Sequence, residues 1–301
     1  MESRAESLRH DRMAPQPGRV AHRFAFMSIH VINCGWLRPL GGRLWDGTSD
    51  LIGPGSLACR CLLVETADGL VLVDSGFGLL DSTVAERLPA AIRIAERPDL
   101  RPGLTAIERV RRLGFEPRDV AHVVMTHLDF DHAGGLTDFP WAQVHVSAQE
   151  ADCARQRPGL LGRMRWRPAQ MPATLRELAE PGDDWFGLAT LAGAPGGIRL
   201  VPLPGHTPGH CGIAVPQGDG WVLHAGDAIF MMSELDRPGD APPLTLAYEA
   251  LMEMDGAQRQ SSAETLRALR DRVGAEVCIL CTHDPAMPHS PRVVAQADLN
   301  D

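Results

Sequence analysis

Four side chains able to hold a divalent metal fall within six residues of the segment Thr126-His127-Leu128-Asp129-Phe130-Asp131-His132-Ala133-Gly134-Gly135. Imidazole and carboxylate together suit zinc, iron or manganese. In a loop that follows an apolar strand, alternating positions 127, 129 and 131 converge on one side, and His132 turns in as the chain tightens toward Gly134-Gly135. Histidine and aspartate in loops are commonplace taken singly; four in this order rarely arise by chance. The same grammar recurs in Pro204-Gly205-His206-Thr207-Pro208-Gly209-His210, in Gly226-Asp227 and in Thr282-His283-Asp284. Each cluster sits where an apolar strand ends, which is how sheet proteins gather functional groups on a rigid frame.

The elements that must position these groups read as follows. Phe24–Asn33 is the first ordered run, and a glycine-rich stretch from Gly35 to Gly55 follows as a functional loop or flap. Leu57–Glu65 and Leu70–Asp74 predict a hairpin around Thr66-Ala67-Asp68-Gly69. Leu104–Leu113 has helical spacing with Gly114 as a stop. Val120–Met125 and Gln143–Val146 are short strands. The stretch Ala148–Gly197 is rich in Arg, Pro and Gly and carries helical pieces such as Thr174–Leu178. Arg199–Leu203, the hairpin His210–Val215 with Trp221–Leu223, the helix Ala263–Arg272 and the strand Glu276–Cys281 complete the pattern. Two hairpin-bearing halves with helices between them suggest sheet packed on sheet with outer helices.

Order and spacing from about Phe24 to Pro285 resemble the metallo-β-lactamase superfamily, in its lactonase and glyoxalase II-like branch. The matching residues are Asp74, the 127–132 loop, His206, Asp227 and His283. The resemblance implies an α+β fold, the four-layer αββα sandwich, with residues 24–301 as one domain behind a flexible extension over 1–23. It further implies that His127, Asp129 and His206 hold one metal, that Asp131, His132 and His283 hold another, and that Asp227 bridges them. Asp74 then orients a ligand by hydrogen bond, and His210 supports the site rather than adding a seventh ligand. His224, just before Gly226-Asp227, either lines the site or belongs to the core.

One position departs from the family pattern. Asp129 stands where the superfamily loop carries its second histidine. A carboxylate makes that site harder and richer in oxygen, as does the glutamate of the iron-binding flavodiiron proteins of the same superfamily. The cofactor expectation is therefore two divalent ions, zinc first, with iron or manganese as alternatives.

By the same resemblance, two metals lower the pKa of a bridging water and polarise the bond to be cleaved, with Asp131 and Asp227 as the catalytic carboxylates. The expected reaction is hydrolysis of an ester, lactone or thioester of a small molecule. Lactonases of the family place a substrate-contacting tyrosine three positions after the bridging Asp; here that position is Phe230, and Tyr248 is the single tyrosine. Phe230 and Met231, with Met232, then predict an apolar substrate pocket. Two other classes remain on the sequence: a dinuclear-iron redox protein served by a separate electron donor, and a non-catalytic metal-binding sensor.

Composition excludes more than it specifies. A net charge of −9 over 301 residues argues against nucleic acid as the partner. No apolar run has the length of a membrane span, and the first residues lack a secretory pattern. Seven scattered cysteines suggest a reducing compartment, so a cytoplasmic location is expected. The pair Cys278 and Cys281 lies on a strand, where positions three apart face opposite sides. The oligomeric state is open, with a homodimer as one option. Gly76-Phe77-Gly78 lacks the third glycine of a dinucleotide loop, and no nucleophile elbow or phosphate-binding loop is present.

Overall fold

The computed structural model describes residues 28–67, 69–286 and 292–295; the expected extension over 1–23, the start of the first strand and Asp68 lie outside them. Among the described residues eleven strands form two sheets: β1 Ile29–Leu37, β2 Leu57–Thr66, β3 Gly69–Val73, β4 Val120–Val124, β5 Gln143–Ser147, β6 Arg176–Leu178, β7 Arg199–Pro202, β8 Cys211–Gln217, β9 Gly220–His224, β10 Val277–Leu280 and β11 Val294–Ala295. The larger sheet runs β11-β1-β2-β3-β4-β5-β6, and the smaller runs β10-β9-β8-β7.

Strands apolar on both faces force the layering. In β1, β2 and β3, residues Val31, Leu62, Val64, Val71 and Val73 face inward and meet Leu200, Ile213, Val215 and Val222 of the smaller sheet. Their sequence neighbours Ile32, Cys61, Leu63, Leu70 and Leu72 point outward, onto Ile107 and Val110 of the helix Ala106–Arg112. The outer face of the smaller sheet, with Val201, Leu223 and Ile279, is covered by Ala263, Leu266 and Leu269 of the helix Gly256–Val273. Period-two alternation thus divides one set of strands between two cores, and the result is the expected αββα sandwich. Cys278 packs toward the space between the sheets and Cys281 toward the outer helix, so the C-x-x-C spacing forms no joint site.

The topology brings the strand ends together. β3 and β4 are parallel, as are β9 and β10, while β7 and β9 both run antiparallel to β8. The C-terminal ends of β7, β9 and β10 therefore share one edge of their sheet. Hydrogen bonds tie that edge to the larger sheet, from Cys211 N–H to the Thr126 carbonyl (3.0 Å) and from Ala58 N–H to the His283 carbonyl (3.1 Å).

Both hairpins close as expected, pairing Thr66 with Gly69 and Gln217 with Gly220. The helical piece read over Thr174–Leu178 is a correction: Arg176–Leu178 is β6, whose backbone extends the larger sheet beside His145–Ser147. Three residues carry too little helical propensity to resist an available sheet edge. The region around it holds two helices that the sequence did not mark, Ala148–Gln156 and Gly159–Arg165. The Gly35–Gly55 stretch completes β1 and folds back through a one-turn helix, Arg43–Asp46.

The turn after β9 is fixed by buried acids. Phe230 N–H is shared between Glu234 Oε1 (2.9 Å) and Glu249 Oε1 (3.0 Å), and Met231 N–H also donates to Glu234 (3.0 Å). Burial, with Glu234 alongside, pushes the Glu249 carboxyl from 4.5 to about 9 although Arg259 lies 3.6 Å away. The native chain then holds a proton that the unfolded chain releases, so between pH 4.5 and 9 this group makes stability fall as pH rises. Urea unfolding across that window should show a Glu249→Gln variant losing up to about 1.4 kcal/mol per pH unit of that slope. Identical slopes for the two proteins would refute the assignment.

Candidate metal centre

All seven expected donors meet at the shared edge, and all are buried, from fully for His127 to 6% exposed for Asp131. Three groups have donor atoms within 4.8 Å of one another: His127, Asp129 and His206; Asp131, His132 and His283; and His127, His132 and Asp227. The Asp227 carboxylate faces both sides. Its Oδ2 lies 3.1 Å from His283 Nε2, 3.5 Å from His206 Nε2 and 3.8 Å from His127 Nε2, and its Oδ1 lies 3.3 Å from His132 Nε2.

These spacings fit a metal. Ligands held about 2.0–2.2 Å from a tetrahedral ion lie roughly 3.3–3.6 Å from each other. The cross-ligand distances of 3.1 Å for His206 to Asp129, 3.6 Å for His127 to Asp129 and 3.7 Å for His283 to Asp131 bracket that edge length. Among the described residues, His127 Nε2, His132 Nε2 and Asp227 Oδ1 are buried without a hydrogen-bond partner. Buried polar atoms in such a state are costly, and a cation between them would satisfy the set.

The imidazoles are oriented from behind. His132 Nδ1 donates to Asp74 Oδ2 (2.9 Å), and His283 Nδ1 donates to the Ala58 carbonyl (2.7 Å). His127 Nδ1 lies 2.9 Å from the Thr126 hydroxyl, which itself donates to Asp74 Oδ2 (2.7 Å). Each bond fixes its ring with Nε2 turned to the centre, where it would serve as the donor atom to a metal. Asp74 also accepts from Thr126 N–H (2.8 Å), and it reaches that position with φ 55°. Aspartate tolerates the left-handed region better than most residues, and here the cost is met by three hydrogen bonds.

The 127–132 loop is shorter and tighter than an extended run. Asp129 is the last extended residue, and Asp131 and His132 lie on the one-turn helix Phe130–Ala133. Ser75 anchors it, donating from both N–H (2.9 Å) and Oγ (2.7 Å) to the His132 carbonyl.

His210 and His224 serve Asp227 rather than a metal. His210 donates from Nδ1 to the Leu203 carbonyl (2.9 Å) and accepts Asp227 N–H at Nε2 (3.0 Å); His224 Nδ1 accepts Gly226 N–H (3.0 Å). Burial pushes both toward the neutral form, His210 well below the ordinary histidine value, as acceptance at a ring nitrogen requires. Gly226 has φ 57°, and a Cβ there would sit 2.5 Å from His210 Nε2, so only glycine fits this turn.

Two further residues belong to the site. Glu150 is fully buried and joins both donor loops: Oε1 accepts from Leu128 N–H (3.0 Å) and Trp166 Nε1 (2.9 Å), and Oε2 accepts from the Thr207 hydroxyl (2.5 Å). Its sequence signal, Ser147-x-x-Glu150, is that of a helix start, and Ser147 does cap the helix. Arg165, also fully buried, places Nε 3.6 Å from Asp129 Oδ1 and donates from Nη1 to the His206 carbonyl (2.9 Å). Nothing in its sequence context marks it.

Charge in the site is balanced locally. Burial opposes ionisation of Asp129, but Arg165 and His127 hold its carboxyl well below the usual range. Burial would likewise discharge His132 and His283, yet Asp227 first, then Asp131, hold both above the ordinary histidine value. His206, buried and facing Arg165, is pushed down to about 4.

Phe230 lies with its ring centroid 4.5 Å from that of His283 and 6.0 Å from that of Tyr248. The Tyr248 hydroxyl donates to Glu96 Oε1 (2.7 Å). Met231 packs with Phe77, Phe130 and Met252. Among the described residues no helix is long and apolar enough to cross a membrane.

The metallo-beta-lactamase superfamily model matches residues 54–281. A probable metallo-hydrolase of Mycobacterium tuberculosis is 38% identical over 264 residues, covering 86% of this chain and 81% of that protein. An N-acyl homoserine lactonase of Bacillus cereus is 29% identical over 202 residues, covering 64% and 74%. Among solved structures, an N-acyl homoserine lactone hydrolase with N-hexanoyl-L-homoserine bound at its catalytic metal centre superposes with TM-score 0.62 at 21% identity, covering 87% of this chain and 94% of that one. A probable metal-dependent hydrolase from Staphylococcus aureus does so with TM-score 0.65 at 20% identity, covering 87% and 91%.

Because the carboxylates hold His132 and His283 above the ordinary histidine value, metal uptake at these rings would displace protons. Zinc titration by calorimetry in buffers of different ionisation enthalpy should therefore show proton release near pH 6–7, with affinity rising with pH. Binding without proton release would contradict this charge balance. Asp74→Asn should weaken zinc binding by about 10–100-fold, read from metal per chain at buffered free zinc, and unchanged affinity would remove Asp74 from the site.

Proposed function

The chain belongs to the metallo-beta-lactamase superfamily and is a metallo-hydrolase, and from that premise we propose that it uses a two-metal centre to open an ester, lactone or thioester of a small molecule with an apolar portion. The observation that carries this reading is the pair of donor groups sharing Asp227, with free Nε2 and Oδ atoms facing each other across a few ångströms. Two divalent ions, zinc before iron or manganese, would polarise the scissile carbonyl and make a water acidic enough to attack at neutral pH.

The protein's own groups supply the rest. Asp227 would join the two donor groups, since its Oδ2 lies near His206 and His127 of one and near His283 of the other. Burial, with Asp227 and Asp129 nearby, pushes the Asp131 carboxyl upward despite His132 and His283; ionised as a donor, it would take the proton of the attacking water and pass it to the departing alkoxide or thiolate. His283 and His132 hold their rings rigidly through Ala58 and Asp74, so neither must reorganise during turnover.

The substrate side is apolar. Phe230 occupies the position of the lactonase tyrosine and covers His283 with a ring that has no hydroxyl. Met231, Phe77, Phe130 and Met252 form one buried apolar cluster, which on this reading would back the substrate side. Polarity enters from the next helix, where Tyr248 packs on Phe230 and is held by Glu96. Relatives whose names specify N-acyl homoserine lactones make lactones with an acyl chain the first compounds to assay.

In a series of esters or lactones with lengthening acyl chains, kcat/KM should rise by up to about fourfold per methylene until the pocket is filled. Met231→Ser should flatten that rise while leaving metal content unchanged. Equal rates on short polar and long apolar substrates would overturn the apolar pocket; no turnover across esters, lactones and thioesters by a chain carrying two metals would overturn the reaction class.

A further inference from the structure

Asp129 and Arg165 form a pair that the sequence does not announce. The carboxylate offers Oδ2 to the donor group, 3.1 Å from His206 Nε2 and 3.6 Å from His127 Nε2. Its other oxygen, Oδ1, is turned to Arg165 Nε at 3.6 Å, an ion-pair contact longer than a hydrogen bond. Both side chains are buried, Arg165 fully and Asp129 to within 2%. Neither Asp129 Oδ1 nor Arg165 Nε has a hydrogen-bond partner, so each is the counter-charge nearest the other. The guanidinium is itself immobilised, since its two terminal nitrogens donate to the carbonyls of His206 and Met252.

The consequence is electrostatic and geometric at once. With Asp129, Asp131 and Asp227 ionised and Arg165 charged, the donor set carries two net negative charges. A set with neutral histidine at 129 and no arginine carries the same two. Because Arg165 engages Oδ1, a single oxygen remains for an ion, so the carboxylate presents one donor atom, as an imidazole would. We propose that Asp129 and Arg165 act as one unit in place of a histidine, with Arg165 as the positioning residue that makes the carboxylate a charge-balanced, one-atom metal donor. This rests on the two-metal reading above.

Removing either member alone then unbalances the site in opposite directions. Arg165→Gln removes the guanidinium charge, places a neutral amide near the Nε position beside Asp129, and leaves a third uncompensated carboxylate. Asp129→His leaves a buried guanidinium beside the ions, and a buried charge without its partner is strongly unfavourable. The double variant Asp129→His/Arg165→Gln returns to the neutral-histidine arrangement.

The experiment equilibrates wild type, both single variants and the double variant with zinc buffered by a competing chelator. Metal per chain is read by elemental mass spectrometry, beside circular dichroism for folding. Wild type should hold two ions, each single variant should lose at least tenfold in affinity for one of them, and the double variant should regain both. A single variant with wild-type affinity overturns the proposal. So does a double variant no better than the worse single, or one that fails to fold with Arg165→Gln, because the arginine then matters for its carbonyl bonds alone. A wild type that binds no zinc, iron or manganese would instead remove the two-metal reading on which the pair depends.

Discussion

Three carboxylates and four imidazoles taken out of water within a few ångströms of one another would repel or protonate unless positive charge is supplied among them. The rest of the structure is arranged around that constraint. Each ring nitrogen that points away from the centre of His127, His132 and His283 is bound to a hydroxyl, a carboxylate or a carbonyl. Inward, His127 Nε2 and His132 Nε2 have no hydrogen-bond partner among the described residues, and His283 Nε2 meets the Asp227 carboxylate at 3.1 Å. Such asymmetry is expensive in an ordinary core and is explained once the centre is treated as a place for cations.

The frame that meets this demand is the edge where two sheets end together. Donor residues follow β4, β7, β9 and β10, and Asp74 follows β3. Parallel and doubly antiparallel pairings align those ends, and the inter-sheet core of Val31, Leu62, Val71, Ile213 and Val222 holds them in register. The connecting loops are then tied to each other by buried polar groups. Glu150 joins the loop at Leu128 to the loop at Thr207, and Arg60 joins β2 to the chain beyond His283 through the carbonyls of Asp284 and Ala286.

Much of this was legible in the sequence because strand ends, turn glycines and ligand residues carry local signals. The 127–132 loop, His206, Asp227 and His283 announce themselves by type and by the apolar runs before them, and Asp74 follows from its place after a strand. Arg165 and Glu150 were not legible: each acts across a distance in the chain that no local pattern records, and Glu150 is masked by a capping signal that is also real. Thr174–Leu178 was misread because a three-residue strand takes its conformation from the sheet beside it. His224 could be resolved between lining and core only by seeing that its ring accepts Gly226 N–H.

Cations at this edge would also be structural. The donors come from four strand ends in two sheets and from loops that otherwise meet through a few hydrogen bonds. A ligand that binds the folded chain and not the unfolded one stabilises it in proportion to the logarithm of its concentration over its dissociation constant. Here the same ions would relieve the repulsion among Asp129, Asp131 and Asp227 and supply partners to orphaned atoms. Folding, proton release and metal uptake would then be one coupled equilibrium. Arg165 stands apart in that scheme: it is a positive charge that no chelator removes, placed on the one donor that departs from the family pattern. On that proposal the chain keeps an aspartate where a neutral ring would otherwise stand, and bound ions would take up the charge of Asp131 and Asp227.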